Sequence, residues 1–234
     1  MYDEAPLSDT SEITDISEIA AEADMKATEH RGITLRQLKD LVAFIDGHAD
    51  ANGNLPWLQT YYRNKDKDDK WDGTYSKEVR CHKDTINLYD VVAYVVEPAT
   101  EAQKCSYVEL VAPQGTTVQT PRWFVSHWWG EPVKDFVKAV EKHSKVRFPR
   151  GEGNDVDCDR NTANEDVSYW VCAYANNQHA LGSDIPADPR ESAFFKAMQL
   201  CDGVLVVLDA SATVFTRSWC AQRAGRAEPR LSSG

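Results

Sequence analysis

The chain has 234 residues, of which 42% are hydrophobic and 27% are charged. This composition is typical of a globular protein with a core, and no stretch reaches the roughly 18 apolar residues that a membrane span requires. Residues 1–30 hold nine acids and one base, so they carry most of the net charge of −11. The charge pattern therefore predicts an acidic tail and excludes a basic surface for nucleic acid.

The N-terminus has no apolar segment of the kind that secretory signals contain, which favours a cytoplasmic location. The six cysteines are spaced irregularly and form no C-x-x-C pair. In a protein that is not exported, this pattern predicts free thiols rather than disulfides or a metal site.

Composition and hydrophobic periodicity divide the chain into four parts. We expect a disordered acidic tail over 1–30 and a mainly helical region over 31–112. An α/β domain is predicted over 113–222, followed by a second disordered tail over 223–234. The sequence leaves open whether the helical region folds independently or packs onto the α/β domain.

Three segments of the 31–112 region carry apolar patterns. Thr34 is positioned to cap a helix over 33–48, and the spacing of its apolar residues gives that helix one buried face. The β-branched run over 86–97 fits a helix face, although a strand stays possible, and Pro98 is expected to end it. A second short apolar element covers 105–112.

Residues 48–59 resemble an EF-hand loop only in part. His48 and Gln59 stand where calcium-binding loops place carboxylates, so an Asn-Gly turn is the simpler interpretation. The charged and aromatic segment 56–80 that overlaps it contains a lysine and aspartate run, which we interpret as a solvated loop. No metal site is predicted in this chain.

The clearest pattern begins at Arg122, where apolar runs alternate with helical spacing. We predict strands over 123–127, 169–175 and 204–208. The predicted helices run from Pro132 to His143, from Glu191 to Leu200, and from Thr216 to Gln222. Strands that alternate with helices form a parallel sheet, and continuous apolar strands favour a sheet that is covered on both faces.

Polar and aromatic residues follow each predicted strand. His127, Trp128 and Trp129 follow the first, Asn176 the second, and Asp209 the third. In open α/β sheets, ligands bind at this carboxyl edge, where the order of the strands reverses. Each of these residues also has a structural interpretation, as aromatic packing or as a hydrogen-bonding loop residue.

Glu131 lies in the first turn of the helix that follows the first strand. An acid at this position is favoured by the helix dipole, which is an alternative to a role in the site.

Four motifs in this half of the chain are similar to those of Toll/interleukin-1 receptor (TIR) domains. FVSHWWGE (124–131) resembles the first conserved box, and ALGSDIP (180–186) resembles the BB loop. ESAFFKAMQLCDGVLVVLD (191–209) resembles the helix and strand that follow, and FTRSWC (215–220) resembles the start of the next helix. The segment FVSHWWGEPV is similar to the corresponding segment of a divergent TIR-like group from unicellular eukaryotes.

The resemblance implies a flavodoxin-like parallel sheet with the strand order 2-1-3. Only three strands precede Gly234, fewer than a TIR sheet has, so the chain is expected to be a C-terminally truncated TIR-like domain. It also implies cytoplasmic signalling through protein partners, including homotypic association through Gly182 and Ile185 of the BB-like loop. The implied nucleotide pocket, with NAD as substrate or ligand, would use six residues: His127, Trp128, Trp129, Gly130, Asn176 and Trp219.

One departure from the family pattern bears on catalysis. TIR domains that cleave NAD carry a glutamate in the motif W-C-x-x-E, whereas this chain has Arg223 after Trp219 and Cys220. The resemblance therefore favours a signalling module without catalysis or cofactor. The alternatives are an NAD-cleaving hydrolase that uses Glu131 or Asp209 instead, or a non-functional fragment of a longer protein.

Overall fold

The structure is a computed structural model that describes residues 27–60, 63–65, 71–75, 79–116, 118–148, 162–181 and 188–216. The expectations for most of both tails lie outside these residues. Those for the BB-like loop residues Gly182 and Ile185, and for Trp219, also lie outside them.

A four-stranded mixed sheet forms the centre of the molecule. Its strands are β1 (Ile33–Thr34), β6 (Trp123–Ser126), β7 (Ser168–Trp170) and β8 (Gly203–Val206). Their order is β1-β7-β6-β8, with β6 parallel to both β7 and β8. The predicted α/β class is confirmed, and the three predicted strands lie side by side and parallel.

The second predicted strand is shorter than expected. β7 ends at Trp170, and Cys172–Ala175 turns into the short helix α6. The amides of Tyr174 and Ala175 both bond to the carbonyl of Val171, at 3.0 and 2.9 Å. The error has a simple cause, because a short buried helix and a buried strand have the same continuous apolar pattern.

The strand β1 is an addition that the sequence did not predict. It pairs antiparallel with β7, with Ile33 opposite Tyr169 and Thr34 opposite Ser168. Because only two residues pair, no alternating pattern marks the strand, and the predicted all-parallel sheet is in fact mixed.

The helix predicted after Thr34 is confirmed as α1 (Leu35–Gly47). Thr34 accepts a hydrogen bond from the amide of Gln37, whose side chain accepts one from the amide of Thr34, which completes a capping box. The apolar face of α1 is buried through Leu35, Leu38, Leu41 and Ile45.

Residues 54–82 contain strands that the prediction of a mainly helical region missed. β2 (Asn54–Thr60) pairs antiparallel with β5 (Val79–His82), and β3 (Arg63–Lys65) pairs antiparallel with β4 (Trp71–Tyr75). Both pairs have irregular registers. An interrupted register disturbs the period of two that identifies strands in a sequence.

The apolar run after residue 86 is helical, as favoured, but it passes through three forms. It consists of α2 (Leu88–Val91), a π-helical turn (Val92–Val96) and α3 (Glu97–Thr100). Pro98 does not end the element, because it lies in the first turn of α3, where its missing amide costs no hydrogen bond. A further helix, α4 (Tyr107–Val111), begins after the capping residue Ser106.

Two longer helices flank the sheet. The structure has α5 at Val133–Arg147 and α7 at Ala193–Leu200, close to the predicted bounds. Single turns of 3-10 helix occur at Thr28–His30, Pro189–Glu191 and Thr213–Thr216. The helix expected from Thr216 to Gln222 lies almost wholly outside the described residues.

The first large cluster of buried side chains joins the N-terminal region to the sheet. It contains Leu38 of α1, Val91 of α2, Phe136 of α5 and Tyr169 of β7. The described part of 31–112 therefore packs onto the sheet and shares its core. A smaller cluster on the opposite face contains Phe124, Trp170 and Ala197.

No helix among the described residues combines the length and apolarity that a membrane crossing requires.

Candidate functional site at the carboxyl edge of the sheet

The crevice between β6 and β8 is the place where this topology favours a ligand. The chain leaves β6 for β7 on one side and then returns to β8 on the other, so the strand order reverses between β6 and β8. His127 directly follows β6, Glu131 lies in the loop beyond it, and Asp209 follows β8. The sequence therefore predicted the edge that carries these residues.

His127 is buried next to α5. It is 8% exposed, its ring lies 4.4 Å from the ring of Phe136, and neither ring nitrogen has a hydrogen-bond partner. Burial lowers the pKa of His127 to about 4, because the charged imidazolium loses its hydration. At neutral pH the ring is therefore uncharged, and it packs as an aromatic group with unused polar atoms.

Glu131 is also buried at this edge. It is 5% exposed, and its Oε2 atom has no hydrogen-bond partner. Burial, together with the nearby charges of Asp209 and Asp135, raises the pKa of Glu131 to about 7. The carboxyl group is thus a proton carrier near neutral pH, which the sequence did not indicate.

Asp209 stabilises the turn after β8 through hydrogen bonds. Its carboxylate accepts hydrogen bonds from the amide and hydroxyl of Thr213, at 2.6 and 2.7 Å, and from the amide of Ser211 at 3.3 Å. Partial burial acts in the opposite direction, but these bonds keep the pKa of Asp209 below its usual value. Asp209 is therefore an ionised group near Glu131.

The aromatic residues of this loop are held by packing. The ring of Trp128 lies over Gly130, where an added Cβ atom would come within 2.2 Å of the indole. The indole N–H of Trp129 donates to Cys172 Sγ at 3.3 Å, and its ring contacts the ring of Tyr89 at 5.4 Å. These contacts join the loop to α6 and α2, so the packing interpretation applies to both tryptophans.

The loop after α6 is attached to the N-terminal region instead of facing the crevice. The side-chain amide of Asn177 donates to the carbonyl of Lys104 at 2.5 Å. Asn176 donates its backbone amide to Cys172 at 3.1 Å, within its own turn. Among the described residues, no hydrogen bond or ion pair joins the side chain of Asn176 to His127 or Glu131.

One hydroxyl–imidazole–carboxylate arrangement was not visible in the sequence. His179 Nε2 lies 2.9 Å from Thr100 Oγ1, and His179 Nδ1 lies 3.4 Å from the carboxylate of Glu101. Thr100 is fully buried and donates its hydroxyl proton to the carbonyl of Val96 at 2.7 Å. The hydroxyl proton of Thr100 is already used in a hydrogen bond within its own helix. The hydroxyl therefore positions His179 and is unsuited to nucleophilic attack.

The structure thus brings Glu131 into the electrostatic range of Asp209, with His127 at the end of the adjacent strand. Trp219 lies outside the described residues. Within the part of the chain that the structure describes, no group of three or more His, Cys, Asp or Glu side chains could hold a metal ion. Asp50, in the loop that resembles part of an EF-hand, accepts hydrogen bonds from Asn52 and Asn54.

Comparison with known proteins gives no match. No protein-family model, no curated protein and no solved structure matches this chain.

Proposed function

We propose that the chain is a TIR-like signalling module that acts by protein–protein contact, including association with a second copy of itself. Support comes from the parallel strands β7-β6-β8, whose order matches the 2-1-3 order that the motif resemblance implies. This flavodoxin-like interpretation rests on the resemblance and on topology, so the functional part depends on a fold-level analogy.

The open edge of the sheet at β8 is the observation that carries the proposal. Val204 and Val206 are 39% and 37% exposed, and Leu208 just beyond the strand is 54% exposed. Among the described residues, the helix α7 packs over Phe124 and Trp170 of the two inner strands and not over the exposed valines of β8. Strands of a parallel sheet are normally covered on both faces.

The composition of β8 also favours pairing. From Gly203 to Leu208 the sequence GVLVVL contains no charged residue and no proline. Natural edge strands usually carry such residues to prevent edge-to-edge association. An uncharged apolar edge is compatible with its own copy, since a twofold axis brings the same residues together.

The burial and hydrogen bonding of the groups at the carboxyl edge do not favour catalysis. His127 and Glu131 are buried, and Asp209 is engaged by Thr213. A substrate would need carboxylates that are open to the crevice and ionised. This arrangement supports a module whose activity is recognition.

Light scattering after size-exclusion chromatography tests the proposal. The double change Val204→Lys and Val206→Lys places charges on the open face, and we expect it to convert an oligomer into a monomer. Val146→Lys is the matched control, because it adds a charge at an exposed valine of α5 and none on β8. Under the BB-loop expectation, changes at Gly182 or Ile185 also weaken association. A wild-type chain that stays monomeric at high concentration contradicts the proposal.

A second candidate is NAD cleavage that uses Glu131. The observation in its favour is the unpartnered carboxyl oxygen of Glu131 beside the crevice. An ionised carboxylate there could stabilise positive charge that develops on a ribose. Incubation with NAD and detection of released nicotinamide tests this, with Glu131→Gln as the inactive control. An absence of release above the buffer rate rejects it.

The remaining alternative, a non-functional fragment, predicts poor cooperativity. We expect instead a single cooperative thermal transition, because one large core joins the N-terminal helices to the sheet. Differential scanning calorimetry measures it, and a broad transition without a defined midpoint favours the fragment.

A further inference from the structure

The loop that holds Glu131 is attached along one side to the segment 86–88. The amide of Leu88 donates to the carbonyl of Trp129, and the amide of Val133 donates to the carbonyl of Ile86, both at 2.9 Å. Between these bonds, Asn87 and Pro132 form an antiparallel bridge. Two backbone hydrogen bonds, one on each side of this bridge, thus connect the loop to the N-terminal region.

Glu131 lies within this attached stretch, between Trp129 and Pro132. Its side chain is buried and one carboxyl oxygen has no partner, so no donor compensates a negative charge on that oxygen. The charged groups that act on it are Asp209, after β8, and Asp135, in α5. The adjacent Lys134 binds Asp46 and Asp84 instead, each at 2.6 Å.

His127, at the end of β6, supplies no compensating charge, because its buried ring is neutral at neutral pH. Every charge that influences Glu131 among the described residues is therefore negative. Ionisation of the carboxyl would place a third negative charge near two others, on a buried group of which one oxygen has no donor.

We propose that Glu131 is a pH-sensitive latch: its neutral carboxyl group keeps the loop 127–132 closed against 86–88, and its ionisation releases the loop. The release exposes the carboxyl edge between β6 and β8, including Trp129. The proposal does not depend on the signalling function, since it concerns only the burial and the charges of this loop.

The direction of the response follows from the protonation states. Below about pH 4.5 the carboxyl group is neutral in both the closed and the open loop, so the pH favours neither. As the pH rises from about 4.5 to 7, only the open loop, in which water hydrates the carboxylate, releases the proton, so opening becomes easier until the change ends above about 7. Opening is therefore favoured on the alkaline side.

Hydrogen exchange at the two attached amides is the most direct experiment. Exchange of the Leu88 and Val133 amides is measured at pH 5.5 and 8.5 and divided by the intrinsic rate at each pH. In the wild-type chain we expect protection to fall by about tenfold between these pH values, the change that roughly one pKa unit of destabilisation produces. In Glu131→Gln, which cannot ionise, we expect protection to be the same at both.

Asp135→Asn is the matched control, because it removes a neighbouring charge and keeps Glu131. It should retain the loss of protection, with the midpoint moved slightly downward in pH, because one of the charges that raise the pKa of Glu131 is gone. An equal loss of protection in the wild-type chain and in Glu131→Gln overturns the proposal.

A second measurement keeps the latch testable if Glu131→Gln does not fold. Carbon-13 NMR of the Glu131 carboxyl in the wild-type chain gives its titration midpoint directly. A midpoint near 7, with amide protection that falls below this pH and is level above it, supports the latch. A midpoint below 5 overturns it, because the group would then be ionised throughout the neutral range while the loop stays closed.

Discussion

The two edges of the central sheet are built in opposite ways. At the β1 edge, an antiparallel strand covers β7, and Arg31 beside it binds Glu109 of α4 at 2.8 Å while both side chains are nearly buried. The indole of Trp170 donates to the carbonyl of Thr28 at 2.9 Å on the same side. At the β8 edge, Val204 and Val206 are exposed. The comparison indicates that the described residues cover the β1 edge of the sheet, whereas β8 has a paired strand on its inner side only.

The largest expected effect is a difference in how much one substitution at each edge lowers the stability of the folded chain. Ile33 in β1 is fully buried, so Ile33→Ala should lower the free energy of unfolding by about 3 kcal/mol through lost burial and a cavity. The matched substitution at the other edge, Val204→Ala on β8, should lower the free energy of unfolding by less than about 1 kcal/mol, because the side chain of Val204 is already partly hydrated. Urea denaturation at low protein concentration measures both. Equal losses would mean that β8 is as well packed as β1.

A second prediction concerns the crevice beside the open edge. The pKa of Glu131 is raised in the folded chain, so the folded state binds the extra proton between about pH 4.5 and 7, and stability falls as the pH rises through that range. Glu131→Gln should therefore increase the free energy of unfolding by about 2 kcal/mol at pH 8.5 and change it little at pH 4.5. Denaturation curves at the two pH values measure this. A stabilisation that is the same at both would contradict it.

The smallest prediction compares the residues that cap α1 and α7. Thr34 makes both bonds of a capping box before α1, whereas Ser192 accepts a single bond from the amide of Phe195 before α7. We expect Thr34→Ala to cost about 1 kcal/mol and Ser192→Ala about half of that. Thermal unfolding of the two variants ranks them. The reverse order would indicate that α7 contributes more to the fold than its packing implies.

The parts of the fold that the sequence predicted are those with long, regular patterns. The apolar run at 123–127 and the stripe of α1 after Thr34 each extend over enough residues to show their period. β1 could not be predicted, because two residues have no period and their pairing with β7 depends on the tertiary fold. The irregular strands of 54–82 escaped prediction for a related reason.

The position of the candidate site was predicted from the sequence, but the burial of its residues and the raised pKa of Glu131 were not. The rule for carboxyl edges placed His127 and Asp209 at one edge of the sheet. The burial of Glu131 depends on the attachment of its loop to 86–88, a contact between segments that are far apart in the sequence. The Trp129–Cys172 bond is also long-range, so neither the raised pKa nor the packing role could be read from local sequence.

The central claim, that the β8 edge receives a second copy of the chain, is tested most directly at its backbone. Because the amide of Val207 donates inward to Ser126 at 3.0 Å, the amides of Val206 and Leu208 on either side point to the open edge. Their hydrogen exchange is measured across a hundredfold range of protein concentration. We predict slower exchange at these two amides as concentration rises, with Val207 unchanged. Exchange that is fast and independent of concentration would contradict association through this edge.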